Sequence, residues 1–170
     1  MNSKGLRQFL DPEQPPRALN KQPAARISRA REHSRRKSQS MSKREAIFPT
    51  GRQALYETNR YSAAIRSGDL LFVSGQVGSR EDGSPEPDFE KQVQLAFDNL
   101  AAVLKAAGCT FDDIVDITTF HTDPAAQFGA VLAVKDKVFA QEPYPNWTAV
   151  GVNWLAGFDF EIKVIARIAQ

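Results

Sequence analysis

Cysteine occurs once in these 170 residues and histidine twice. The lone thiol, Cys109, cannot close a disulfide within one chain or build a thiolate cluster. With only His33 and His121 beside it, a Cys–His or multi-histidine metal site has too few ligands, so neither a metal nor a cofactor is expected. Long apolar runs are scarce as well. No stretch approaches the ~20 apolar residues of a membrane helix, and no apolar segment follows the N-terminal charges as it would in a secretory leader. These absences point to a soluble, cytoplasmic protein with no membrane partner.

What is plentiful is positive charge, in one place. The first 40 residues hold ten Lys/Arg against three acids, and because the whole chain is only +2, the remainder carries −5. So polar a segment cannot offset its ordering entropy by burial, and residues 1–41 read as a disordered basic extension. Two origins stay open for it: an electrostatic tail or address signal, or an upstream start with translation properly beginning at Met41. Nucleic acid is expected to meet this protein only there, and non-specifically. Residues 42–170 make one ordinary domain.

That domain is organised around its C-terminal end. From Phe158 to Ile168 apolar residues alternate with mostly polar ones, the mark of a strand with one face on a core. The preceding run, PNWTAVGV, is rich in Val, Thr and Trp, and Ala156-Gly157 supplies a turn, so the two read as a strand pair with a tight corner. Trp147, Ala149, Glu161 and Arg167 then fall on the faces left for function. Upstream, Ser67-Gly68-Asp69 separates two β-like runs as a hairpin turn would. Gly75, inside the second run, admits either a β-bulge or the close approach of a backbone or ligand. Phe89, Val93, Ala96, Phe97, Leu100, Val103, Leu104 and Ala107 recur at helical spacing, and Gly108 ends that helix. After a strand over Ile114–Thr122, Asp123-Pro124 opens a second helix. The order β-β-α-β-α-β-β predicts an α+β domain, a five- to six-stranded, mostly antiparallel sheet with two helices on one face. Its other face is left apolar and in want of a partner.

LLFVSGQVG, the helix FDNLAAVLKAAG, the strand DIVDITTF, and Tyr-Pro followed by a segment ending EIKVIAR together resemble the YjgF/RidA (RutC-like) family, from about Tyr56 to the C-terminus. RYSAAIRSGD and PYPNWTAVGV are particularly similar to its YjgH-type branch. The resemblance implies a chorismate-mutase-like fold and a homotrimer with sheets facing inward and three pockets at the interfaces. It also implies hydrolysis of reactive enamines and imines with release of ammonia. By the same resemblance Tyr61 is the pocket tyrosine, Ser74 and Gly75 line the pocket, and Glu161 positions the attacking water.

Three positions depart from the deaminase pattern. The arginine that clamps a substrate carboxylate is Trp147, the cysteine two residues on is Ala149, and the asparagine of the second helix aligns with Leu132. A guanidinium holds a carboxylate through two charge-assisted bonds that an indole cannot imitate. Losing it costs roughly 2–5 kcal/mol, so ordinary 2-iminobutanoate/2-iminopropanoate deamination is not expected. Trp147 offers instead a flat apolar face for a larger or aromatic metabolite, or serves as interface filling. Glu161 is either a base or a structural partner, and His121, the domain's one histidine, is either a ligand contact or a packed residue. Arg60 and Arg167 are the candidate replacement cations. The function expected is an imine-type hydrolase with altered selectivity. The alternatives are a non-catalytic small-molecule-binding trimer and, more weakly, an RNA-binding or ribonuclease-like protein, against which the domain's −5 charge argues.

Overall fold

The structure is a computed structural model and describes residues 44–169, so the basic extension and Met41 lie outside the described residues. Among the described residues seven strands form one sheet: β1 (Glu45–Ile47), β2 (Ala64–Ser67), β3 (Leu70–Val73), β4 (Gln76–Val77), β5 (Ile114–His121), β6 (Asn146–Gly151) and β7 (Phe160–Arg167). The helices are α1 (Gln53–Thr58), α2 (Phe89–Ala106) and α3 (Pro124–Val138), with a 3-10 turn at Phe111–Asp113. The strand order is β1-β2-β3-β7-β5-β6, with β4 also on β7. Every pairing is antiparallel except β5 with β6. None of the described helices is long and apolar enough to cross a membrane.

Local chemistry accounts for most boundaries. Gly68, at φ 66°, makes with Asp69 the two-residue turn that sets Ser67 opposite Leu70. The Asp88 carboxylate caps α2 by accepting from the Lys91 amide, and that of Asp123 caps α3 by accepting from the Ala126 amide. Gly108, left-handed at φ 74°, releases the chain after α2.

Three features differ from the sequence reading. Short elements without a periodic signature, β1 and α1, add to the expected strands and helices. The run Leu70–Val77 is broken at Ser74-Gly75 into β3 and β4. The largest change is that β6 and β7 do not pair: β5 lies between them, parallel to β6 and antiparallel to β7. Ala156 and Gly157, both at positive φ, belong to a longer connection across the end of the sheet.

The core lies between one sheet face and the helices. Phe160, Ile162, Val164 and Ala166 of β7 are all buried on that face, with Ile117, Thr119 and His121 of β5 beside them. Phe97 of α2 stacks on Phe160, rings 6.2 Å apart and nearly parallel. Among the described residues no helix covers the opposite face, which presents Phe72, 42 % exposed and opposite Ile165. Phe97→Ala should lower stability by about 3–5 kcal/mol, because an almost fully buried ring leaves a cavity between α2 and β7. Urea unfolding is the measurement, and a loss under about 1 kcal/mol would contradict this packing.

Candidate functional site

Two clusters contain the candidate residues, and one chain does not bring them together. The first is built by the break between β3 and β4. Phe72 pairs with Ile165 and Gln76 with Ile162, so four steps on one strand pass three on the other, a one-residue bulge. The bulge reading of Gly75 therefore holds, and what approaches it closely is a side chain rather than a backbone or a ligand. It lies in the bulge, and the Glu161 carboxylate is laid so closely on it that a Cβ there would overlap the carboxyl group.

Ser74 spends its hydroxyl on structure, donating to the Ser62 carbonyl at 2.7 Å while its amide donates to Ala63 at 2.9 Å. Gln76, buried, donates its amide to the carbonyls of Ser74 and Gly75 at 2.9 and 3.2 Å and accepts from the Tyr56 hydroxyl at 3.2 Å. The Tyr56 ring meets Tyr61 edge-on at 5.1 Å. Arg60 is left-handed at φ 57°, bending the chain that presents Tyr61, which stays 45 % exposed. Gln76 and Tyr56 escaped the sequence reading. Their only signal is a long amide directly after Ser-Gly and a tyrosine on a very short helix.

The electrostatics give this cluster its chemistry. Burial holds the Glu161 carboxyl above the usual carboxylate range, against a smaller opposing pull from Lys163. Burial, and then the negative charge of Glu161, push the Tyr61 phenol up. Among the described residues the Glu161 carboxylate has no hydrogen-bond partner. A half-buried, proton-seeking carboxylate beside a phenol and a close backbone is a group able to orient water or accept its proton.

The second cluster lies on the helix face at the sheet edge. Trp147 sits beside Ile117 in the parallel β5–β6 register. Its indole N–H donates to the Thr119 hydroxyl at 2.9 Å, and the same hydroxyl lies 3.0 Å from His121 Nε2. The indole stacks on Phe128 of α3, centroids 5.3 Å apart and 10° from parallel. The Lys135 ammonium is 4.6 Å from the indole centroid. Leu132, half-buried, lies on the stripe of α3 between Phe128 and Lys135, and Ala149 sits beside Thr119.

This corrects the expectation that Trp147, Ala149 and Glu161 share a face. Glu161 pairs with Phe120 on the open side, whereas Trp147 belongs with Ile117 and Thr119 on the helix side. His121 is fully buried between Phe128 and Phe160, its Nδ1 has no hydrogen-bond partner among the described residues, and burial pushes its imidazole below the ordinary value. It stays neutral near pH 7 and holds Thr119 from the inside. Arg167 pairs with Asp69 at 3.8 Å, and Arg60 is exposed with no ion pair among the described residues. Neither joins Glu161. The cation that reaches the Trp147 position is Lys135, whose place on α3 the sequence reading passed over.

A family model described as Endoribonuclease L-PSP matches residues 51–168. The RutC family protein YjgH of Escherichia coli is 72 % identical over 130 residues, covering 76 % of this chain and 99 % of that protein. A solved structure of YjgH superposes with a TM-score of 0.72 at 73 % identity, covering 75 % of this chain and 98 % of the other. More distantly, a 2-iminobutanoate/2-iminopropanoate deaminase of Dermatophagoides farinae is 32 % identical over 96 residues, 54 % of this chain and 72 % of that protein. The chain belongs to the YjgF/RidA (RutC-like) family. Within that family its similarity to YjgH runs over most of its length.

Stability should depend on pH through Glu161. A carboxyl raised in the folded state favours folding while protonated, and that advantage is lost as pH rises through its folded value. Glu161→Gln should therefore gain stability relative to the parent between acid and neutral pH. Urea midpoints at about pH 4 and pH 7 test this, since a difference independent of pH contradicts a buried, ionising carboxylate.

Proposed function

We propose that the protein hydrolyses a small imine or enamine, with Glu161 taking a proton from the attacking water. The observation that carries this reading is the Glu161 carboxylate, half-buried, laid on Gly75, close to Tyr61 and free of hydrogen bonds to the described residues. Water adds through oxygen to the carbon of C=N while its proton passes to Glu161. With the imine protonated at the start this gives a neutral carbinolamine; Glu161 returns its proton to nitrogen, the C–N bond breaks as the hydroxyl oxygen forms the carbonyl, and the hydroxyl proton leaves with the ammonia as ammonium. An enamine first takes a proton on carbon to become the imine. Trp147 in place of the clamping arginine moves selectivity away from small imino acids, because the indole supplies one N–H, already given to Thr119.

A homotrimer completes the proposal. The Glu161 and Trp147 clusters lie on opposite faces of one chain's sheet, and the face that the described helices leave open exposes Phe72. A second copy brings one chain's Trp147 edge to another's Tyr61 and Glu161. The competing reading, a binding protein without turnover, is favoured by the missing clamp. RNA cleavage, which the family description names, has less support, because the positive charge is concentrated in residues 1–40 and the rest is −5.

Two measurements decide. Wild-type protein should release little ammonia from 2-iminopropanoate, Trp147→Arg should release more, and Glu161→Gln should abolish any turnover while changing ligand affinity by no more than about tenfold. Rapid wild-type deamination of 2-iminopropanoate would defeat the selectivity claim, and turnover undiminished in Glu161→Gln would remove the carboxylate from the mechanism. Sedimentation equilibrium at micromolar concentration should give three times the chain mass, and a monomer would leave the site unassembled.

A further inference from the structure

We propose that the cleft between the C-terminal turns of α3 and Tyr144 binds a small planar monoanion, an aromatic carboxylate, with Lys135 as its counter-charge. The cleft measures about 420 Å³ and is lined by Lys135, Asp136, Phe139, Ala140 and Tyr144. That volume is near the lower end of ligand sites, roughly 300–1,000 Å³, and suits a single ring better than a nucleotide.

The ammonium is held but not neutralised. Its nitrogen is 4.6 Å from the Trp147 centroid and 6.0 Å from that of Phe139, so two aromatic rings flank it. The ion pairs among the described residues are Arg80–Glu86, Lys91–Asp88 and Arg167–Asp69, none of which uses Lys135. A ring face satisfies a cation less fully than a carboxylate, which adds a charge-assisted hydrogen bond. The lining supplies a place for the rest of such a ligand. Phe139, 9 % exposed, is fixed edge-on against Phe111 at 5.9 Å at the base of the cleft, and Tyr144, 58 % exposed, is the aromatic wall open to a flat partner.

Asp136 sharpens the choice. Its carboxylate shares the lining with the ammonium, so a ligand carrying about two negative charges, such as a phosphate monoester, meets about twice the repulsion from it that a monocarboxylate meets. The inference uses no residue of the Tyr61–Glu161 cluster and does not depend on turnover.

The experiment uses the full chain carrying Trp154→Phe, which removes the exposed one of the two tryptophans and leaves Trp147 as reporter. Benzoate, benzamide and phenyl phosphate are titrated while indole emission is followed, with calorimetry as a second readout. A saturable response to benzoate is expected, with benzamide and phenyl phosphate weaker by about tenfold or more. Lys135→Met, which keeps the apolar stem, should lose benzoate by about tenfold or more, and Lys135→Arg should retain it. Asp136→Asn should narrow the gap between benzoate and phenyl phosphate. No saturable benzoate response up to about 10 mM, equal affinity for benzamide, or unchanged binding in a folded Lys135→Met would each overturn the proposal. Should Lys135→Met fail to fold, the benzoate–benzamide comparison on the parent decides alone.

Discussion

The packing of β7 against α2 on one side only is the constraint from which the rest of the structure follows. Phe160, Ile162, Val164 and Ala166 are buried under the helices, and the stack of Phe97 on Phe160 locks the register at one end. A slip of one residue would turn all four into solvent and carry Glu161 and Lys163 into the core, so the register is held by the whole apolar face. With β7 fixed, β3 and β4 are fixed on one side and β5 on the other. The position of Glu161 is a by-product of that packing, its side chain being what the alternation leaves on the open face.

The Glu161 cluster forms where this regular frame is broken. The extra residue between β3 and β4 would normally weaken the ladder, and here Gln76 repairs it by taking the exposed carbonyls of Ser74 and Gly75. Position 75 carries no side chain, and the Glu161 carboxylate occupies the space that a Cβ would take. A carboxylate placed there loses water on one side and gains no donor from the described residues, and so its proton affinity rises. Backbone irregularity, a missing Cβ and a shifted titration are thus one physical event.

The Trp147 edge shows a second kind of economy. Thr119, His121 and Trp147 are polar or amphipathic residues at positions facing the helix layer, joined through one hydroxyl that serves both ring nitrogens. Burying such groups is costly unless they bond to each other, and the unpartnered Nδ1 of His121 shows that the match is incomplete. Phe128 covers the indole from α3 and Lys135 approaches it from the next turns of that helix, so the indole of β6 carries a cation from another element beside its ring.

Much of this could be read in the sequence because it depends on local periodicity. The alternation through β7 and the helical stripe from Phe89 to Ala107 each declare one buried face, and Gly108 and Asp123-Pro124 mark helix ends through their own backbone preferences. Tyr61, Ser74, Gly75 and Glu161 were recognisable as candidates, and the structure gathers them. Which strands become neighbours was not recognisable, because ladder hydrogen bonds join backbone groups that every residue carries alike. The chain around Ala156-Gly157 looks the same whether β6 folds back on β7 or crosses to the far side of β5. Only the tertiary structure decided for β5, and that choice placed Trp147 opposite Glu161's face, buried His121, and brought Lys135 to the indole.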